Sequence, residues 1–156
     1  MVPREEPVKP RLMPIDNGTV LDHLPMGSAL KIVQLLGLDV STGAVTLAMN
    51  TESAKKGRKD LLFVENIELS QTDLDKIGLI AEGATWNTIR NKSVQKKQRI
   101  ALPEQVQGVL KCPNPLCITN AEPVKTRFRI ESNPLQAVCG YCERTVLEND
   151  LLKNIQ

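Results

Sequence analysis

Four side chains in this sequence can hold a metal ion between them. Cys112, Cys117, Cys139 and Cys142 are the only cysteines of the 156-residue chain, arranged as Cys-x4-Cys, 21 residues, then Cys-x2-Cys. Two thiolate pairs around a hairpin-sized insert suit a tetrahedral zinc ion. Each pair folds its own tight turn, and the insert brings the turns face to face. The residues inside the pairs agree: "CPNPLC" supplies prolines and an asparagine, and "CGYC" places Gly140 between its thiols. Four protein ligands leave no open coordination position, so the expected zinc is structural and not catalytic. A redox dithiol at Cys139 and Cys142 is the rival chemistry, and the βαβ pattern that carries such a motif is absent around it.

The second candidate is "GTVLDHLP", residues 18–25, with the only histidine, His23, directly after Asp22. A metal served by four thiolates has no need of it. A catalytic Asp–His couple is also disfavoured, because neighbours on a strand point to opposite faces. Two basic stretches offer a third chemistry: Lys55, Lys56, Arg58 and Lys59 in the first, Arg90, Lys92, Lys96, Lys97 and Arg99 in the second. They are either solvated loops or the walls of an anion pocket in which lysines neutralise a triphosphate. In such a pocket Asp22 would accept hydrogen bonds from ribose hydroxyls. There is no Walker loop and no G-x-G-x-x-G, so neither hydrolysis nor dinucleotide use is supported.

The competing ligand for a basic face beside a zinc ribbon is nucleic acid. Against it, Phe63, Trp86, Phe128 and Tyr141 are the whole aromatic set, thin for a base-stacking platform. A net charge of +2 argues for neither nucleic acid nor an anionic membrane. No apolar run approaches the roughly 20 residues that cross a bilayer, and "MVPREEPVKPRL" has no apolar signal core. The expectation is a cytoplasmic protein without nucleic-acid or membrane partners, where disulfides are disfavoured.

The elements that must position these residues follow from periodicity. Residues 18–24 read as a strand entering Pro25, and residues 26–36 as a helix with Met26, Leu30, Val33 and Leu36 at helical spacing and Gly37 as its cap. "AVTLAMN" alternates Val45, Leu47 and Met49 as a half-buried strand, and "DLLFVENI" is a more buried one. Ser70 and Asp73 open a second helix through Leu74, Ile77 and Ala81. "ATWNTIRN" is a further strand, with a short one around 93–98. The order β-α-β-β-α-β predicts an α+β, ferredoxin-like domain whose helices cover one sheet face and leave the other open. The expected organisation is a mobile tail over 1–11, this domain over 12–98, a connector over 99–108, and a small antiparallel β, zinc-ribbon-like domain over 109–156. A unit of some fifty residues needs a staple such as the metal.

Four segments, "GTVLDHLP", "GRKDLLFVEN", "CPNPLCITNAEPV" and "CGYCE", in this order and spacing, resemble the regulatory chain of aspartate carbamoyltransferase from about residue 12 to about residue 148. The resemblance implies an allosteric, non-catalytic subunit of a pyrimidine-pathway enzyme. Its N-terminal nucleotide-binding domain would form a homodimer, and its zinc domain would dock on the catalytic chain. In the family, two catalytic trimers are joined by three regulatory dimers, CTP inhibits, UTP acts with it and ATP activates. Carried over by position, Asp22 would meet the ribose and His23 would line the pocket. Lys97 would contact phosphates with Lys59 nearby, and Asn87, Ile89 and Val94 would line the base and phosphate region above Ile15 and Val20. Asn114 and Glu143 would face the catalytic chain, and the four cysteines would bind zinc. Three positions depart from the family pattern: Phe63 replaces the second lysine of R-K-D-L-I-K-I-E-N, Met13 replaces a glutamate, and Lys92 replaces a tyrosine. The first removes a positive charge from the nucleotide site, so the resemblance implies a weakened nucleotide response.

Overall fold

A computed structural model describes residues 15–40, 43–53 and 57–156. The expected tail over 1–11, Met13, and Lys55 and Lys56 of the first basic stretch lie outside the described residues. The chain runs through β1 (Gly18–Leu24), α1 (Ser28–Leu35), β2 (Val45–Ser53), β3 (Gly57–Glu65), α2 (Gln71–Ile80), β4 (Thr85–Arg90) and β5 (Ser93–Arg99). The five strands pair in the order β2-β3-β1-β4-β5, all antiparallel. That is the split β-α-β-β-α-β sheet expected from the sequence, widened by a full strand where only a short one was expected.

Both helices pack on one sheet face. Leu21, Leu24, Leu62 and Val64 of β1 and β3 meet Ala29, Ile32 and Ile77 of the helices, each at most 1% exposed. The α2 start is the expected capping box: the Asp73 amide donates to Ser70 Oγ, and the Ser70 amide donates to Asp73 Oδ2, both at 3.1 Å. The expected stripe of α1 is rotated. Met26 precedes the helix and is 62% exposed, Leu30 is 46% exposed, and Ala29, Ile32 and Val33 are the buried face. Two apolar rows at helical spacing lie side by side here, and only packing decides which turns inward. Met49 likewise does not alternate inward, because β2 bulges at this point.

A second antiparallel sheet, β6-β7-β8-β9, follows: β6 (Gln105–Gln107), β7 (Arg127–Glu131), β8 (Gln136–Cys139) and β9 (Thr145–Leu147), with α3 (Ile118–Ala121) and α4 (Glu148–Asn154) beside it. Phe128, Val106, Leu110 and Ala137 form its core together with Cys112, Cys117 and Cys139. Among the described residues no helix is long and apolar enough to cross a membrane.

The stretch from 99 to 108 serves both halves. Ile100 is buried in the first core, Leu102 packs on the second, and Val106 lies inside the second. Helix α2 also reaches both, because Ile77 belongs to the first core and Leu79 to the second. Between them, Gly78 lets the chain at Ala101 lie directly on the helix. A Cβ there would stand 2.5 Å from the Ala101 carbonyl oxygen and 3.1 Å from Pro103 Cδ. Alanine is the better helix former by about 1 kcal/mol, yet this overlap with backbone costs more. Gly78→Ala is therefore expected to lower the melting temperature by about 2–4 °C, measured by thermal unfolding of the metal-loaded chain; an unchanged or higher midpoint would contradict the contact.

Candidate functional site

The four sulphurs converge as the spacing predicts, all within 4.8 Å of one another. Cys112 and Cys142 Sγ are 3.6 Å apart, and Cys117 and Cys139 Sγ are 3.9 Å apart. Metal–sulphur bonds of about 2.3 Å at tetrahedral angles put sulphurs about 3.8 Å apart, so the donor set fits a metal such as zinc. The thiols are free, at separations far beyond the roughly 2.05 Å of a disulfide bond.

Local chemistry builds each turn. Asn114 Oδ1 accepts the Leu116 amide at 3.0 Å, its carbonyl accepts the Cys117 amide at 3.0 Å, and Asn120 Nδ2 ties both Cys112 and Asn114 carbonyls at 2.9 and 2.7 Å. In the second turn the Glu143 amide donates to the Cys139 carbonyl at 2.9 Å, with Glu143 in the left-handed region. The turns aim donors at the sulphurs. Thr119 gives Cys117 both its hydroxyl, at 3.2 Å, and its amide, which draw that thiol down. Burial pushes Cys112 up to about 12 and raises Cys139. Burial opposes ionisation of Cys142 too, but the Arg144 amide and the Asn114 side chain help hold it at about 7.

Two of these thiols therefore stay protonated at neutral pH until a cation arrives. Metal uptake must displace their protons, so affinity rises with pH and falls as acid restores them. Metal content, followed with a chromophoric chelator, is expected to drop as pH is lowered from mildly alkaline to acidic, and Cys112→Ser is expected to lose the metal outright. Retention of metal at full stoichiometry in Cys112→Ser would exclude this ligand set.

The second site is the sheet face opposite α1 and α2. Residues paired across strands share a face. Phe63, Val20, Asn87 and Lys97 form one row across β3, β1, β4 and β5, and Asp22, Thr85 and Arg99 belong to the next. Ile89 and Val94 pair further along, and Ile15 lies half-buried just before β1. Lys59 Nζ reaches Asp22 Oδ1 at 2.8 Å, with both side chains half-buried. His23 Nδ1 lies 3.2 Å from Thr85 Oγ1 and 3.8 Å from Asp22 Oδ2.

That last contact corrects one expectation. Neighbours on a regular strand diverge, but β1 bulges after Leu21 and His23 has φ 57°, so Asp22 and His23 turn to the same face. The basic residues also divide. Lys97 and Arg99 belong to the open face, whereas Lys96 lies 5.5 Å over the Trp86 ring on the helix side and Arg90 pairs with Glu68 at 2.5 Å. Lys92 turns to Asp16, at 4.0 Å. Phe63 sits half-buried in the middle of the open face, beside Val20 and paired with Thr46 of β2. Sequence reading missed Thr85, which faces His23, and Leu116, 91% exposed inside the first cysteine pair. Strand pairing was needed to find the first; an apolar residue inside a cysteine turn was a signal for the second.

Comparison with known proteins joins the two sites. The family model described as aspartate carbamoyltransferase regulatory chain, allosteric domain, matches residues 11–101, and the one described as its metal binding domain matches residues 104–152. The aspartate carbamoyltransferase regulatory chain of Pyrococcus horikoshii is 49% identical over 144 residues, 90% of this chain and 95% of the relative. That of Methanocaldococcus jannaschii is 46% identical over 149 residues, 95% and 97% of the two chains, and that of Methanopyrus kandleri is 47% identical over 145 residues, 91% and 93%. A nucleic-acid-binding ribbon is not favoured by these matches. The chain belongs to the regulatory chains of aspartate carbamoyltransferase, non-catalytic subunits with an allosteric domain followed by a metal-binding domain.

Proposed function

We propose that this chain binds nucleoside triphosphates on its open sheet face and passes that binding, through the zinc domain, to an aspartate carbamoyltransferase catalytic chain of cytoplasmic pyrimidine biosynthesis. The observation that carries the reading is the convergence of Asp22, His23, Lys59, Asn87 and Lys97 on one face that no helix of the described residues covers. Asp22 is the ribose acceptor and His23 a pocket donor. Lys97 and Lys59 are the phosphate partners, with Arg99 beside them on β5. Ile89, Val94, Ile15 and Val20 supply apolar walls. CTP, UTP and ATP are the effectors considered, and the N-terminal domain pairs with a second copy.

A nucleotide favours one quaternary state only through contacts that differ between the two states. In the structure Lys59 is already neutralised by Asp22 at 2.8 Å. A bound nucleotide has to share that pair, the carboxylate turning to hydroxyls and the ammonium to phosphate. Phe63 keeps the centre of the face apolar, so positive charge is confined to its two sides. Triphosphate affinity is accordingly weaker than it would be with a lysine there. Phe63 is also the only aromatic residue among the strand rows of this face, which leaves nothing for successive bases to stack on.

On the zinc domain, Asn114 and Glu143 stand at the two cysteine turns, and Leu116 projects beside the first. They form the surface offered to the catalytic chain, and the metal holds the turns in register.

Calorimetric titration of the metal-loaded chain with CTP and ATP tests the effector site. His23→Ala is expected to weaken CTP about tenfold and Phe63→Lys to tighten it by a similar factor, each the worth of one charge-assisted contact. CTP binding indifferent to His23→Ala would remove His23 from the pocket, and no binding of either nucleotide would leave the chain a scaffold. Docking is tested separately by thiol reagents that displace the metal. The complex with the catalytic chain is expected to separate, and a complex that survives complete metal loss would sink the role given to the zinc domain.

A further inference from the structure

We infer that the buried Asp60 is a positioning residue for the effector pocket: its carboxylate holds the β2 bulge and the start of α1, its main chain pairs just beyond the β1 bulge, and together these contacts bring Asp22, His23 and Lys59 to one point. The inference deepens the effector reading above and rests on it for its functional consequence.

The pairing shows where the bulges are. Between β1 and β3, Leu21 pairs with Leu62 and Leu24 with Asp60, so Asp22 and His23 oppose Leu61 alone. Between β2 and β3, Ala48 pairs with Leu61 and Thr51 with Lys59, so Met49 and Asn50 oppose Asp60 alone. In each bulge the second of the two residues is left-handed, His23 with φ 57° and Asn50 with φ 60°. Two neighbouring residues of β3 thus carry a bulge on either flank.

Asp60 is the group common to both. Its side chain is completely buried, and its oxygens accept three backbone amides. Oδ1 takes the amide of Asn50 at 3.0 Å, inside the β2 bulge. Oδ2 takes those of Gly27 at 2.9 Å and Ala29 at 3.1 Å, at the start of α1, which has no side-chain cap of its own. Its backbone pairs with Leu24, the residue that follows the His23 bulge. The chain leaving that bulge is therefore tied to Asp60 by main chain at Leu24 and by side chain at Gly27 and Ala29.

The bulge decides which way the pocket residues face. A regular β1 would send Asp22 and His23 to opposite sides, and a one-residue slip would exchange the two faces of the strand. Meanwhile Lys59, next to Asp60, points the other way and meets Asp22. A buried carboxylate is costly unless amides are presented to it. Of the three amides, one is presented by the β2 bulge and two by the start of α1, which the chain reaches directly after the β1 bulge, so the acceptor is matched to the path the bulges give the chain.

The test uses the metal-loaded full chain with Asp60→Asn, which keeps the shape but gives up charge and one acceptor. Two quantities are measured: CTP affinity by calorimetry and the ring C–H signals of His23 by NMR, unambiguous because it is the only histidine. Expected are an affinity loss of about tenfold or more and ring signals displaced to those of an exposed imidazole, with metal content unchanged. Unmoved ring signals overturn the proposal, and so does unchanged CTP affinity in a chain whose parent binds CTP. Should the unsubstituted chain bind neither CTP nor ATP, the effector reading fails by itself, and the displaced or unmoved His23 signals still decide for or against Asp60. Should Asp60→Asn not fold, amide exchange in the unsubstituted chain replaces it. Gly27, Ala29, Asn50 and His23 are expected to open in one step as a single cooperative unit, and independent exchange of His23 overturns the proposal.

Discussion

Four thiol groups within 4.8 Å cannot all ionise unless a cation stands among them, and the C-terminal half of the molecule is organised around that demand. Its strands have three to five residues, and its core is built from one phenylalanine, a handful of aliphatic residues and the cysteines themselves. A metal contributes on the order of 10 kcal/mol to such a fold, more than a core of this size can supply. The amides and hydroxyls that point at the sulphurs set the orientation of each ligand before the ion arrives. The same turns leave Leu116 and Glu143 exposed while the Asn114 side chain turns in towards the Leu116 amide and Cys142, so one electrostatic requirement shapes both the interior and the surface of these turns.

The N-terminal half solves a different problem. A sheet with helices on one side has a second face, and here that face gathers the Asp22–Lys59 ion pair, an imidazole and the basic residues Lys97 and Arg99 of β5. The gathering depends on departures from regular pairing. Without the extra residue in β1, the aspartate and histidine would be separated by the thickness of the sheet. Phe63 leaves the centre of that face apolar, between the Asp22–Lys59 ion pair and the basic residues of β5.

The cysteine site was legible because metal ligation is carried by two short local turns whose chemistry is written in consecutive residues. The α2 cap was legible for the same reason: Ser70 and Asp73 satisfy one another within a single turn. The bulges were not, since a bulge is a mismatch in count between two strands and neither strand displays it alone. Asn50 gave only a weak hint, through the tolerance of asparagine for left-handed backbone. The division of the basic residues followed alternation along β5, but its phase needed the pairing of Asn87 with Lys97. Stretch 99–108 showed no period because successive apolar residues answer to two different cores.

The strand order leaves two edges, and they differ in how they would receive another strand. β5 runs along one margin with Lys96, Lys97 and Arg99 among seven exposed residues, a row of charge that repels a second copy of itself. β2 forms the other margin. From Val45 to Ala48 it is regular and uncharged, and its bulge at Met49 and Asn50 ends that regularity abruptly. Among the described residues the sheet is thereby closed to extension on one side and open on the other for about four residues. A barrier against indiscriminate stacking is thus built into β5, whose basic residues guard the edge of the sheet.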